Sequence, residues 1–189
     1  MQRDADDYPA RLDIEYPQSL DRISTLLRPL FAIPILILMN FMSQAIVIPV
    51  LLMLVFRQKY PRWWFDFNLE LARLSNRVNA YLNLMTDQYP STDEEQSVRL
   101  DLDYPDAAQL SRWLPLVKWL LAVPHYIVLG FLVFLQFFAV LIAWFAIVFT
   151  GAYPRPLFTY MLNVERWLLR VEAYAFLLIT DRYPPFRLG

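Results

Sequence analysis

The sequence predicts an all-α membrane protein. It is read as a tandem duplication of a two-helix unit, with about four membrane-embedded helices and, in each unit, short interfacial helices and a short surface strand. Three observations carry that reading. From Tyr126 to Phe149 the only strongly polar side chain is Gln136, and a helix of that length is about 36 Å long, against about 30 Å of bilayer hydrocarbon. Of the 189 residues, 58% are hydrophobic and 16% aromatic, with only 3 glycines, a balance that suits a membrane protein better than a soluble enzyme. The two halves also match each other. RLDIEYP at 11–17 returns as RLDLDYP at 99–105, RVNAY at 77–81 as RVEAY at 170–174, and TDQYP at 86–90 as TDRYP at 180–184.

These matches divide the chain into a first unit at 1–90, an acidic linker at 91–97 and a second unit at 98–189. Each unit opens on an alternating segment: Leu12, Ile14 and Tyr16 in the first, Val98, Leu100, Leu102 and Tyr104 in the second. A period of two is strand-like, and an isolated strand leaves its backbone unpaired, so the two segments are expected to pair with each other at the membrane surface. The Tyr-Pro that follows turns the chain. Amphipathic approach segments come next, at 20–33 and 110–123. Pro34 and Pro124 then mark a bend into the main spans, 35–56 and 126–149.

The second helices, 63–85 and 157–179, are amphipathic. Asp66, Glu70, Arg73 and Arg77 share one face, and Thr159, Asn163, Arg166 and Arg170 take the matching places in the second unit. Two placements satisfy them: crossing with polar faces turned inward, or lying in the interface. Crossing is expected, because both ends carry interfacial residues and the apolar arc is wide. The distribution of basic residues then puts both termini in the cytoplasm.

Arg73, Arg77, Arg166 and Arg170 are the sharpest candidate site. They are read as helix-pairing groups or as a seam for lipid phosphate, since the guanidinium fork suits that geometry. Arg57, Lys59 and Arg62, and Trp113, Lys118 and Trp119, combine basic and indole side chains as headgroup anchors do. Asn40, Gln44 and Gln136 are candidate intramembrane polar contacts, of the kind that hydrogen-bond between helices.

No cofactor or metal is expected. The chain has 0 cysteines, its 1 histidine, His125, has no ligating neighbours in sequence, and no nucleophile elbow or phosphate loop occurs. A net charge of −1 gives no basic field for nucleic acid. MQRDADDYPARLDIEYP at the start is acidic and lacks the apolar core of a signal peptide.

The motifs RLDLDYP, RWLPLVKWLLAVPHYIVL, YPRPLF, RVEAY and TDRYPPF resemble the domain of unknown function 4389 family of bacterial membrane proteins, with the first unit a more divergent copy. The resemblance implies a small integral membrane protein with no assigned reaction, and a multi-pass location in a bacterial inner (cytoplasmic) membrane. The function expected is that of a non-catalytic accessory or scaffolding subunit, with membrane lipids and other membrane subunits or itself as partners. A homo-oligomeric conduit for an ion or lipid is the alternative.

Overall fold

The computed structural model describes residues 8–42 and 47–189, with side chains described outside 38–46. In chain order the elements are strand β1 (Ala10–Ile14), helix α1 (Arg22–Met42), helix α2 (Val47–Leu52) running into a π-helical turn (Met53–Arg57), and helix α3 (Arg62–Leu82). Strand β2 (Val98–Leu102) follows, then α4 (Pro115–Leu121), α5 (Val123–Thr150) and α6 (Arg155–Ala175).

The two strands pair antiparallel, with Leu12 opposite Leu100. Their alternation is fully expressed: Ala10, Leu12, Ile14, Val98, Leu100 and Leu102 are buried, while Arg11, Asp13, Arg99 and Asp101 face outward. A two-stranded ribbon is marginal alone, and its apolar row rests on two helices. β1 lies on α6 and β2 on α3. The strand of each half therefore packs on the helix of the other half. Behind this pair of helices lie α1, against α3, and α5, against α6, and α1 and α5 also touch. The order of layers is sheet, then α3 with α6, then α1 with α5.

Local chemistry fixes the ends. α4 passes into α5 at Ala122, where φ is −80° and ψ −6°. Pro124 falls in the first turn of α5, where its missing N–H has no intrahelical partner to lose. Gly151, at φ 75°, closes α5 with its N–H on the Ile147 carbonyl at 2.7 Å, in the left-handed conformation glycine adopts without strain. α3 and α6 are followed by left-handed leucines, Leu84 (φ 63°) and Leu178 (φ 57°). A side chain there costs about 1–2 kcal/mol. Both leucines are buried, so core contacts hold the conformation.

This architecture overturns the expected four membrane-embedded helices. About 60% of the chain is helical and the two-stranded sheet is part of the core. Among the described residues one helix, Val123–Thr150, is long and apolar enough to cross a membrane. Of the run at 35–56, α1 passes through Pro29 and Pro34 to Met42 and helix resumes at Val47 with a π-helical end, while residues 43–46 lie outside the described residues. α3 and α6 were read as crossing helices because their apolar arcs are wide. Their polar arcs are instead committed to the sheet, which no lipid-crossing helix could carry exposed.

Each approach helix is anchored by a buried cation. Arg28 is 2% exposed and donates to the carbonyls of Tyr81 and Thr86, at 2.9 Å each, and to Asp87. Lys118 is 0% exposed, 2.7 Å from the Thr180 carbonyl and 2.8 Å from Asp181 Oδ1. Each cation also sits over a tyrosine ring, Arg28 over Tyr81 at 4.4 Å and Lys118 over Tyr174 at 5.2 Å. The same aspartates accept the backbone N–H at the start of the approach segment, Asp21 on Asp87 and Ser111 on Asp181. Burial pulls Lys118 below the ordinary lysine range, and Asp181 opposes that shift. Asp181→Asn leaves the ammonium buried without its counter-charge, and is expected to cost about 3–5 kcal/mol in chemical unfolding. Adding Lys118→Met to that variant is expected to recover most of the loss.

Candidate functional site: an apolar face and the cavity that opens on it

The four arginines picked out in the sequence stand between helix and sheet. Arg73 donates from Nε to the Leu100 carbonyl at 3.0 Å and pairs with Glu70 at 2.7 Å and Asp101 at 3.1 Å. Arg166 repeats the pattern on the other strand, with Nε on the Leu12 carbonyl at 2.8 Å and Nη2 on Asp13 at 3.0 Å. Arg77 donates to the Ser91 carbonyl, and Arg170 donates to the Arg187 carbonyl at 2.8 Å. The guanidinium forks bind the edges and flanks of the ribbon to α3 and α6.

The other candidates scatter. Arg57 and Lys59 are exposed beyond the π-helical turn, and Arg62 pairs with Asp66 at 3.3 Å and covers the Tyr104 ring at 4.6 Å. Trp113, just before α4, and Trp119, on it, are exposed, while Lys118, between them in sequence, points inward to Asp181. The side chain of Asn40 and all of Gln44 lie outside the described residues. Gln136 is buried between helices and donates from Nε2 to Glu165 Oε1 at 3.0 Å. His125 is enclosed, stacked on Phe186 at 3.8 Å, and accepts from the Trp167 indole at 3.0 Å. No group of three or more metal-ligating side chains occurs among the described residues.

The far layer is different in character. On α5 the buried positions Leu129, Gln136, Ala139, Ala143 and Ile147 form one helical stripe toward α1 and α6. The rest of its surface is open and apolar, including Ile127, Phe131, Phe134, Phe138, Phe145 and Phe149. α1 adds Ile23, Leu26, Leu30 and Ile37, and α4 adds Trp119 and Leu120. An apolar surface spread over three helices far exceeds the scattered single residues normal on a soluble monomer.

On this face opens a cavity of about 960 Å³, between α3, α5 and α6 and bounded by Val47 and Ile48 of α2. Its walls are apolar except for Ser75, Asn76, Asn79 and two carboxylates, Glu165 and Glu172. Glu165 accepts at Oε1 from Asn83 (2.9 Å) and Gln136 (3.0 Å). Burial raises its carboxyl above the usual range, against those two hydrogen bonds. Glu172 is pushed up to about 7 by burial and by the charge of Glu165. Neither carboxylate forms an ion pair among the described residues. Glu165 is adjacent to Arg166, yet one helical step is a turn of about 100°, so Arg166 meets the sheet and Glu165 meets α5.

The fold thus defines a mostly helical protein that carries a charged ribbon on one side and a continuous apolar face, with an acidic cavity, on the other. Residues 112–187, from just before α4 to beyond α6, match the sequence model of a family described as domain of unknown function DUF4389. The match supports that family over this stretch, and a single copy is matched. No curated protein and no solved structure matches the chain.

The raised Glu172 carboxyl gives a signed pH dependence. The folded state holds this proton longer than the unfolded chain does, so its contribution is complete below the ordinary carboxylate pKa and disappears as pH rises through about 7. Resistance to urea is expected to fall between about pH 5 and about pH 8, and Glu172→Gln is expected to flatten that slope relative to the parent chain.

Proposed function

We propose that this protein is a non-catalytic membrane protein that lies along one leaflet, α1 and α5 facing the acyl chains, and holds its charged ribbon out to a partner as an accessory or scaffolding subunit. One observation carries the orientation. The Gln136–Glu165 contact falls at the middle of α5, and the next residue, Arg166, grips β1 at Leu12 and Asp13. Asp13 and Asp101 are 72% and 68% exposed. An upright α5 would set these ionised groups at the depth of the bilayer centre, where a charge costs from about 2.5 to above 10 kcal/mol. With α5 in the plane, the same groups stand in water about two helix diameters, or roughly 20 Å, above the lipid-facing surface. The indoles of Trp63, Trp113 and Trp119, exposed beside basic residues, suit the headgroup boundary.

The ribbon's outer surface carries Arg11, Asp13, Arg99 and Asp101, with Asp103 just past β2, in mixed sign. That pattern fits a protein partner, a second copy included, better than it fits an anionic lipid surface. The conduit reading has less support, because Arg73 and Arg166 are engaged with the strands. The family resemblance points to the bacterial cytoplasmic membrane.

After detergent removal in the presence of liposomes, the chain is expected to float with the lipid and to remain there through high salt and carbonate. Replacing Phe131, Phe134 and Phe138 together by Asp is expected to shift it to the lipid-free fraction, still folded by far-ultraviolet circular dichroism. A parent chain recovered lipid-free as a monomer would refute the reading.

A further inference from the structure

The cavity under α5 has no assigned occupant, and its chemistry is selective. Three features narrow the choice. Its walls are largely apolar and its mouth lies among exposed apolar side chains, Ile48, Val133 and Phe176, so a ligand enters from the apolar side. At about 960 Å³ it is at the upper end of the size range for small-molecule sites, about 300–1,000 Å³. Among the described residues its ionisable lining groups besides Tyr126 are Glu165 and Glu172, and no lysine or arginine lines it.

The carboxylates are presented rather than neutralised. Both amide donors to Glu165 reach Oε1, and no hydrogen bond reaches its Oε2 among the described residues. Glu165 itself is 5% exposed. The Glu172 carboxylate takes no side-chain hydrogen bond and no ion pair among the described residues. Beside them the buried Gln136 Oε1, a further acceptor, is also without a partner. The Tyr126 hydroxyl, also without a partner, is a donor in the same wall, but no cation lines it among the described residues, and buried carboxylates without a cation are costly. A ligand that brings donors and positive charge removes that cost.

We infer that the cavity binds the head of a singly charged cationic amphiphile, an alkylammonium whose chain runs out over α5 into the apolar layer. The ammonium donates to Glu165 Oε2 and to Glu172, and the chain passes Gly130, where a Cβ would meet nothing within 4 Å. A zwitterionic phospholipid fits less well, because its phosphate would find no cation in the wall. A fatty acid would set a third carboxylate against two. This inference goes beyond the scaffolding role and is tested without a bilayer, so the failure of one is distinguishable from the failure of the other.

The test uses the full chain in a neutral maltoside detergent, with native mass spectrometry and thermal shift on titration with dodecylammonium, dodecanol and dodecanoate. The inference predicts a one-to-one adduct and a rise in unfolding temperature with dodecylammonium alone. Glu165→Gln combined with Glu172→Gln, which keeps side-chain shape and an acceptor for the amides, should weaken that binding about tenfold or more. Gly130→Trp, which places an indole in open space on a helix that loses a glycine, should abolish the adduct without lowering the unfolding temperature of the free protein. Equal binding of dodecanol would reduce the cavity to an apolar groove and overturn the inference. So would undiminished dodecylammonium binding to either the double glutamine variant or Gly130→Trp.

Discussion

Arg166 and Arg73 tie the strands to the helices, and the rest of the structure depends on that pair of forks. Each reaches a strand carbonyl through Nε and a strand carboxylate through Nη2, Arg166 to Leu12 and Asp13, Arg73 to Leu100 and Asp101. Through them an exposed, ionised ribbon is fixed beside the midpoint of the most apolar helix in the chain. In the proposed orientation, with α5 flat, that juxtaposition needs no compensation, whereas an upright α5 would set the ribbon at the depth of the acyl chains. The sidedness of the whole molecule, charged above and apolar below, follows from where two guanidinium groups bind.

The halves are interlocked rather than adjacent, and tyrosines complete the lock. The Tyr60 hydroxyl donates to the Leu177 carbonyl at 2.8 Å, and its counterpart Tyr153 donates to the Asn83 carbonyl at 3.1 Å. Tyr16 donates to the Tyr153 carbonyl while Tyr104 donates to that of Tyr60. Each of these bonds crosses from one half to the other and is answered by a bond in the reverse direction. Buried hydroxyls on backbone carbonyls satisfy both groups, and reciprocal placement orients the two helical hairpins about the shared ribbon. The cavity is where this reciprocity lapses. Asn79 stands on α3 where Glu172 stands on α6, and Ala72 where Glu165 stands, so acid appears on one side only.

Much of this was legible from residue patterns, and what was not has definite causes. The strands were readable because Leu12, Ile14, Leu100 and Leu102 alternate with ionised residues, and their pairing followed from the need of a lone strand for a partner. The repeated Arg-Leu-Asp, Tyr-Pro and Thr-Asp motifs marked the joints of the fold. Their chemistry is hidden, because the cations that Asp87 and Asp181 neutralise, Arg28 and Lys118, are about sixty positions away in sequence. Lys118 beside Trp119 read as a headgroup anchor, although α4 turns the lysine inward and the indole outward. The four spans rest on two long apolar runs and on the wide apolar arcs and interfacial ends of the second helices. Neither signal registers that Arg166 has a strand to hold, nor that Glu165, one step round the helix, faces a different layer.

The most direct test of orientation is the depth of α5 in a bilayer. With no native cysteine, single cysteines at Ile127, Phe134, Phe138 and Phe145 can be spin-labelled one at a time, and their depth read from the relative accessibility to oxygen and to a nickel chelate. A helix lying in one leaflet puts all four labels at similar depth from end to end. A profile that is shallow at Ile127, deepest at Phe138 and shallow again toward Phe145 would mean that α5 crosses the membrane, and would contradict the account.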